Sequence, residues 1–291
     1  MLHNNFIDYL CIGHLCHDRY VGGNLLGGTA SYVSLVARQL GRRPAILTSV
    51  GPDFEFFQVF EHGGIPVCNK AAAETTVFEN IYHNGIRTQY LHARADTLNA
   101  GDVPAEWCTV PVVLCCPIAD EVDFSLLQAF PNSLVGATIQ GWLRQWDDYR
   151  RVFPKAMDWS RLAGADVVIL SDADIAGFEA ALTEIAAVVD VLVMTQGASG
   201  AVVFQGGQQL HFPAFPVKEV DATGAGDVFA AAFLIHYSET RDIALSAAFA
   251  HCAASFVVEG VGVRNLPGPD LLLERFGEYK TRFGTKGVVA A

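Results

Sequence analysis

The hydrophobic and polar positions of this 291-residue chain change period repeatedly, from short apolar runs to stretches with helical spacing. The apolar runs are rich in Val, Ile and Leu, as buried strands are. In "TASYVSLVARQLG" (29–41), Val33, Val36 and Leu40 recur at helical spacing, and Gly41 stands where a helix would stop. The pattern therefore predicts strands and helices in alternation.

The elements predicted in this way cover most of the chain. The strands are 6–13, 44–51, 65–68, 112–116, 133–140, 165–171 and 189–197, followed by a hairpin over 200–212. The helices are 29–41, 54–61, 122–129, 154–163, 175–188, 225–237 and 241–258. This order is typical of an α/β fold in which a mostly parallel sheet carries helices on both faces. With no internal repeat or Pro/Gly/Ser-rich linker, we expect one domain over residues 1–291.

One region departs from the alternation. The segment "ETTVFENIYHNGIRTQYLHA" (74–93) has two runs of β-branched and aromatic residues joined by Asn84 and Gly85, a strong hairpin signal. We interpret it as an inserted β lid, to which residues 14–25 also contribute. The strand edges of such a lid could pair with a second subunit, so a homodimer through the lid is left open.

Composition and charge exclude several classes of partner. The formal net charge of −12 and the pI of about 5.1 give no basic surface for nucleic acid or an anionic membrane. No apolar run approaches the roughly 18 residues that span a bilayer. Seven cysteines lack the spacing of a disulfide framework, and the first residues lack a leader pattern, so we expect a cytoplasmic protein.

The segment "EVDATGAGDVFAAAFL" (219–234) carries the clearest chemistry. Gly224, Ala225 and Gly226 lie where a helix begins after a strand, and small residues let the backbone approach a ligand closely. Amides at a helix start stabilise anions, and Asp227, expected to stay ionised there, could accept a proton from a hydroxyl. Together these groups suit transfer of a phosphoryl group to an alcohol. The alternative is that Asp227 only caps the helix.

These residues resemble the signature of the ribokinase family of carbohydrate kinases, also called the phosphofructokinase-B type. "DATGAGD" is similar to the C-terminal motif of that family, and "LGGTASYVSLVARQLG" (26–41) and "VGPD" (50–53) are similar to its N-terminal ones. The resemblance implies an ATP-dependent kinase of a small polyol or sugar. It further implies Mg²⁺ as cofactor and, in some relatives, a monovalent cation.

The resemblance also implies roles for individual residues. Asp227 would be the catalytic base, with the amides of Gly224, Ala225 and Gly226 around the transferred phosphoryl group. On the acceptor side, the residues implied are Asp18, Gly27, Gly28 and Gln140. On the nucleotide side, they are Thr195, Gly197, Gly200, Thr223 and His251, although a lone histidine on an apolar helix is more often a core residue.

Several positions depart from the family pattern. The Asn-x-x-Glu motif associated with magnesium is "SDAD" here, which leaves Asp174 as the candidate metal residue. Cys16, Thr29 and Tyr32 stand where ribokinases have an asparagine, a lysine and another asparagine. The departures, with "GHLCHD", "TTVFENIY" and Gln140, resemble plant-type inositol kinases and favour myo-inositol as acceptor.

Two other functions stay open. A nucleoside kinase of the same family would need an aromatic slot for a base, which Tyr32, Phe78 and Tyr82 could form. A non-catalytic relative could have kept the fold while losing the metal motif, although Asp227 and its small neighbours argue against that. The His14-x-x-His17 spacing lacks a second ligand pair, so structural zinc is not expected.

Overall fold

The computed structural model describes residues 6–83, 86–260, 265–266, 268–284, 286 and 288–289. The strands in this part of the chain are β1 (Tyr9–Ile12), β2 (Cys16–Tyr20), β3 (Gly23–Gly27), β4 (Pro44–Val50), β5 (Val67–Ala71), β6 (Thr76–His83), β7 (Ile86–Ala93), β8 (Val112–Cys115), β9 (Leu134–Thr138), β10 (Arg144–Trp146), β11 (Val152–Pro154), β12 (Val167–Ser171), β13 (Val191–Thr195), β14 (Ala201–Gln205), β15 (Gln208–Phe212) and β16 (Val288–Val289). The α-helices are α1 (Thr29–Gln39), α2 (Phe57–Gly63), α3 (Ala181–Ala186), α4 (Ala225–Thr240), α5 (Ile243–Val258) and α6 (Pro269–Phe283).

A ten-stranded sheet forms the centre of the molecule. Its strand order is β16-β15-β14-β13-β12-β9-β8-β1-β4-β5, and the pairings from β13 to β5 are parallel. The last three strands, β14 to β16, are added in antiparallel fashion. The predicted α/β class with a mostly parallel sheet is confirmed.

The chain reverses direction across the sheet at β1. From β1 it passes to β4 and β5 on one side and then returns to β8 and β9 on the other. The carboxyl ends of β1 and β8 therefore separate into loops that run in opposite directions. In open α/β sheets, ligands bind in the crevice that such a switch point creates.

The two faces of the sheet are covered differently. One face packs against the long helices α1, α4, α5 and α6, whose buried residues form one apolar core. The other is covered by α3 and short 3₁₀ turns over a second core. None of the helices in the described ranges combines the length and apolar character that a membrane crossing needs.

Three predicted helices are shorter than the pattern suggested. The helix predicted over 122–129 is the 3₁₀ turn Phe124–Gln128, and that over 154–163 is the 3₁₀ turn Trp159–Leu162. The helix predicted over 175–188 is only α3, because Gly177 has a φ of 84° that no right-handed helix contains. Helix α6 and the hairpin of β10 and β11 were not predicted.

The predicted hairpin 74–93 forms β6 and β7, and residues 14–25 contain β2 and part of β3. These strands make a separate four-stranded sheet in the order β3-β2-β6-β7, antiparallel except between β2 and β6. The turn residues Asn84 and Gly85 lie outside the described residues. The small sheet fits the expected lid, and it stands over the carboxyl ends of the central strands.

The edge of the lid sheet at β7 contacts the hairpin of β10 and β11. The Leu91 amide donates a hydrogen bond to the Arg150 carbonyl at 2.8 Å, and Tyr90 forms an antiparallel bridge with Arg151. The Arg150 guanidinium also donates to the His92 carbonyl. The hairpin thus connects the lid to the central domain within one chain.

Candidate active site

A cleft of about 590 Å³ lies between the lid sheet and the carboxyl ends of the central strands. Of the residues predicted from the sequence, those that line it are Asp18, Gly28, Gln140, Asp174, Thr195, Gly197, Thr223, Gly224, Ala225, Gly226 and Asp227. Gly27, Gly200 and His251 are not among the lining residues. The fold therefore brings most of the predicted site together from segments more than 200 residues apart.

The glycine-rich loop ends in the first turn of α4. Gly224 precedes the helix with a φ of 80°, and a Cβ at this position would lie 2.4 Å from Cε1 of Tyr32. A Cβ on Gly226 would meet nothing within 4 Å, so space is open above that residue. The Ala225 amide donates to the Ala222 carbonyl at 3.1 Å, which removes it from the predicted anion hole. Among the described residues, the amides of Gly224 and Gly226 donate to no backbone carbonyl.

Asp227 follows in the same turn, half-buried and facing the cleft. Burial raises the pKa of its carboxyl to about 6, while a hydrogen bond from Thr29 and the charge of Arg144 oppose that rise. The pKa thus moves upward rather than staying at its ordinary value, because desolvation outweighs the favourable partners. At pH 7 roughly nine in ten such carboxyls are still ionised, so Asp227 remains a competent base.

A series of side-chain hydrogen bonds leads to Asp227 from the far wall of the cleft. Arg144 donates to Gln140 Oε1 at 3.1 Å, and Gln140 Nε2 donates to Thr29 Oγ1 at 2.9 Å. Because Thr29 Oγ1 accepts from Gln140, its own proton is available to Asp227, whose pKa the contact with Thr29 lowers. The series therefore holds Thr29 in place beside the carboxylate that would act as base.

Arg144 was not identified from the sequence, and Thr29 was noted only as a departure from the ribokinase pattern. The Arg144 guanidinium also donates to the Ile118 carbonyl at 2.8 Å and lies 5.5 Å from the centre of the Phe78 ring. A spacing of four residues between Gln140 and Arg144 is the one sequence signal that links the two. That signal is weak, since "GWLR" after a strand has no motif character.

The acceptor side of the cleft is formed by the lid. Asp18 lies on β2, next to Phe78 on β6, and it lines the cleft with Asn80 and Gln89. Burial raises the pKa of Asp18, and the charges of Arg87 and Arg144 oppose this rise. Three polar side chains of the lid, Asp18, Asn80 and Gln89, and the Phe78 ring thus face the position that an acceptor would take.

The two predicted glycines near Asp18 lie where other atoms leave no room for a side chain. A Cβ on Gly27 would lie 2.3 Å from Asp18 Oδ2, so Gly27 leaves room for this carboxylate rather than lining the cleft. Gly28 has a φ of 94°, and a Cβ there would lie 2.4 Å from the His14 carbonyl oxygen. Both positions therefore require glycine for reasons that the sequence motif alone does not show.

The predicted metal residue Asp174 folds back onto its own loop. Its Oδ2 accepts hydrogen bonds from the Ser171 amide at 2.8 Å and from the Ser171 hydroxyl at 2.7 Å. The described part of the chain contains no group of three His, Cys, Asp or Glu side chains arranged for a metal. The residues present fit Mg²⁺ only if most of its ligands are water and phosphate oxygens, which is how Mg²⁺ is often held.

The residues predicted to bind the nucleotide, other than His251, divide into two groups. Thr195, Gly197 and Thr223 line the cleft, and the Thr223 amide is held by Asp221 Oδ1 at 2.9 Å. Gly200, with a φ of 102°, is instead packed against the backbone, because a Cβ there would lie 2.1 Å from the Phe212 carbonyl oxygen.

His251 lies in the core rather than in the cleft. It is 5% exposed, and its ring packs against Phe229 and, in parallel, against Tyr279. Burial lowers the pKa of His251 to about 3, and Nε2 has no hydrogen-bond partner in the described residues. The structure therefore favours the core reading of this histidine over a role in nucleotide binding.

Sequence reasoning missed a buried carboxylate at the switch point. Glu121 is fully buried, and its oxygens accept from the amides of His14 at 3.1 Å, Ile118 at 2.9 Å and Ala119 at 2.6 Å. It thereby connects the loop after β1 with the loop after β8. In the sequence it resembles any solvated acid, so no local signal marks it.

The two histidines weighed as zinc ligands make other contacts. His14 Nδ1 is 2.7 Å from Thr76 Oγ1, and Nε2 is 2.9 Å from the Asp96 carbonyl oxygen. The His17 ring stacks on Phe54 and meets Phe56 edge to face. His14 thus connects the three chain segments at the base of the lid.

Comparison with known proteins identifies the class to which this fold belongs. The chain is 26% identical over 265 residues to a cytidine kinase of Thermococcus kodakarensis, covering 81% of this chain and 91% of that protein. It is 25% identical over 275 residues to an inositol 3-kinase of Arabidopsis thaliana, covering 87% and 74% of the two chains. The sulfate complex of a pyrophosphate-dependent kinase in the ribokinase family matches with a TM-score of 0.76 at 20% identity, over 92% of this chain and 99% of that one.

The fold is that of the ribokinase-type phosphotransferases. Residues 120–270, more than half of the chain, match the profile of the pfkB family carbohydrate kinases. The chain belongs to this family, as the sequence motifs implied, and is a carbohydrate or polyol kinase.

Proposed function

We propose that this kinase transfers the γ-phosphoryl group of ATP to a hydroxyl of a small polyol, with myo-inositol as the best candidate. The observation that carries the proposal is the position of Asp227. Its carboxylate faces the same cleft as the open turn at Gly226 and the polar lid residues around Asp18. Base, anion site and acceptor surface therefore surround one space.

In the proposed reaction, Asp227, the acceptor surface and the helix-start amides act on one phosphoryl group. An acceptor hydroxyl held beside Asp18 and Asp227 attacks the terminal phosphorus and forms a new O–P bond. The bond to the bridging oxygen of the donor breaks, ADP leaves, and the hydroxyl proton passes to Asp227. The amides of Gly224 and Gly226, with the positive end of α4, stabilise the negative charge of the moving phosphoryl group.

The donor would bind along Thr195, Gly197 and Thr223, which line the cleft on the side away from the lid. Mg²⁺, held chiefly by phosphate oxygens and water with Asp174 nearby, would supply further charge neutralisation when bound. A monovalent cation near Asp221 remains a prediction from the family. Because one structural neighbour is pyrophosphate-dependent, pyrophosphate is the second donor to assay.

The acceptor is proposed from polar groups and from relatives together. A ring of hydroxyls matches the carboxylate of Asp18 and the amides of Asn80, Gln89 and Gln140, all of which line the cleft. The inositol 3-kinase relative supports this choice. The cytidine kinase relative favours a nucleoside as the second candidate, for which Phe78 and Tyr32 provide aromatic surface in the cleft.

A turnover assay tests the proposal. Purified protein with ATP and Mg²⁺ is offered myo-inositol, sugars and nucleosides, and ADP release is measured. We expect at least one polyol to be phosphorylated, and Asp227→Asn to lose orders of magnitude in rate while nucleotide still binds. Equal rates for Asp227→Asn and wild type would remove Asp227 from the chemistry. A protein that binds ATP but turns over no acceptor would be the non-catalytic relative.

We further propose that residues 1–291 act as one cytoplasmic kinase domain whose lid can pair two copies of the chain. The lid edge at β3 is open, and Tyr20, Val21 and Leu25 near it are exposed apolar residues. Sedimentation of wild type and of Leu25→Gln tests this idea. A monomeric wild type at micromolar concentration would overturn it.

A further inference from the structure

A second cavity of about 320 Å³ adjoins the cleft, and we call it the annex. Its walls come from lid strand β7, from the turn after β9 and from the hairpin of β10 and β11. It shares six lining residues with the cleft, so the two cavities are continuous: Arg87, Gln89, Gln140, Arg144, Ala173 and Asp174. No residue of the glycine-rich loop 222–227 lines it.

The charged side chains of the annex are unbalanced. Three arginines line it, Arg87, Arg144 and Arg151, against one acid, Asp174, whose Oδ2 is already bound by Ser171. The ion pairs recorded among the described residues involve none of these three arginines. The annex therefore carries a net positive charge, although the net charge of the whole chain is −12.

This accumulation has a cost that a bound anion would offset. Burial lowers the pKa of Arg144, and the neighbouring charge of Arg87 lowers it further while Asp174 opposes that shift. Arg144 uses two recorded hydrogen bonds, to Ile118 and Gln140, out of the five N–H groups of a guanidinium. Guanidinium groups bind phosphate and carboxylate by paired hydrogen bonds, and these bonds are strongest where water is excluded.

We propose that the annex is an anion subsite of the acceptor pocket, so that the preferred acceptor is a polyol or sugar carrying a phosphate or carboxylate. The inference rests on the proposed phosphotransfer and makes its substrate class more specific. Arg87 and Arg151 would hold the anionic group while Asp18 and Asp227 hold the ring hydroxyls. The same chemistry is present in the phosphates of the donor, but the annex adjoins the lid rather than the loop 222–227.

The experiment compares matched neutral and anionic acceptors with ATP at saturation. The pairs are myo-inositol with myo-inositol monophosphate and ribose with ribose 5-phosphate, for wild type, Arg151→Gln and Arg282→Gln. Arg151 is exposed in the hairpin, so its replacement leaves the core intact, and Arg282 on α6 is an exposed arginine that does not line the annex. Protection by each phosphate ester against thermal unfolding is measured in parallel, without turnover.

We expect kcat/KM for one phosphorylated acceptor to exceed that of its neutral partner by about tenfold or more. Arg151→Gln should raise KM for that acceptor by about tenfold, abolish its thermal protection and leave KM for ATP unchanged, whereas Arg282→Gln should match wild type. Preference for the neutral members with no effect of Arg151→Gln would overturn the inference alone. A rise in KM for ATP instead would assign the annex to the donor. Protection by the esters without turnover would support the subsite and contradict the proposed kinase reaction.

Discussion

Gln140 Nε2 donates to Thr29 Oγ1 at 2.9 Å, which joins the turn after β9 to the first residue of α1 across 111 positions of the chain. Thr29 is only 2% exposed, and its hydroxyl is left to donate to Asp227. Thr29 therefore stands between Gln140 and the proton acceptor proposed for the reaction, at the wall of the cleft.

Replacing Thr29 tests this arrangement. Thr29→Val removes the donor that lowers the pKa of Asp227, so that pKa should rise and the acidic limb of the rate profile should move to higher pH. If that pKa rises by about one unit, kcat near pH 7 should fall about twofold, since about half of the carboxyls would then be ionised. Stability should fall by about 1 to 2 kcal/mol because the Gln140 amide loses its acceptor. Thr29→Ser keeps the hydroxyl and should retain the wild-type profile. An unshifted profile in Thr29→Val would mean that Thr29 does not act on Asp227.

The second prediction concerns the stability cost of the base. Its pKa of about 6 in the folded protein lies above the ordinary value of 3.8, so ionisation opposes folding at pH values above 6 and ceases to do so as the pH falls toward 4. Asp227→Asn should therefore be more stable than wild type at pH 8, by roughly 1 kcal/mol once solvent screening in the open cleft is allowed for. The difference should vanish near pH 4.

Urea denaturation at the two pH values measures this difference. The exposed acid Asp190, replaced by Asn, serves as the control for a change in net charge. If Asp227→Asn and wild type are equally stable at pH 8, the prediction is wrong. The Asp227 carboxylate is then better solvated than its position in the cleft indicates.

The two glycines of the active loop should respond in opposite ways to alanine. Gly224→Ala forces a φ of 80° on an L-residue and drives a Cβ into the Tyr32 ring, so we expect a loss of about 1 to 3 kcal/mol. Gly226→Ala meets open space inside a helix and should gain about 0.5 to 1 kcal/mol. The added methyl group nevertheless stands where the phosphoryl group would move, so kcat should fall. Thermal unfolding and ADP release, measured on both variants, separate stability from chemistry, and a fully active Gly226→Ala would contradict the proposed anion site.

His251 provides a test of the distinction between core and nucleotide site. Because its pKa of about 3 in the folded protein lies below the ordinary 6.5, the unfolded chain takes up a proton that the folded protein does not, and stability is lost as the pH falls below 6.5. His251→Phe should lose less stability than wild type between pH 7 and pH 5. Its KM for ATP should stay within about twofold of wild type. An increase beyond tenfold would return His251 to the nucleotide site, and His62→Gln, at an exposed position, is the control.

The sequence predicted the central sheet well because parallel strands buried on both faces are short apolar runs, such as 112–116 and 165–171. Asp227 was predictable for a similar reason, since its small neighbours and the following helix are contiguous. Arg144 and Glu121 were not, because what they do depends on partners from other segments, namely Gln140 and the amides of His14 and Ile118. The helix predicted over 175–188 was too long because Gly177 has a positive φ, which the spacing of apolar residues does not reveal.

The buried carboxylate of Glu121 also has a practical consequence for anyone who wishes to redesign this enzyme. It fixes the loop of Ile118, whose carbonyl holds Arg144, and Arg144 leads through Gln140 toward the base. Mutagenesis libraries aimed at new acceptors should therefore diversify the lid surface around Asn80 and Gln89 and keep 118–121 constant. A change at that hidden acid would disturb turnover from a distance and be mistaken for altered selectivity.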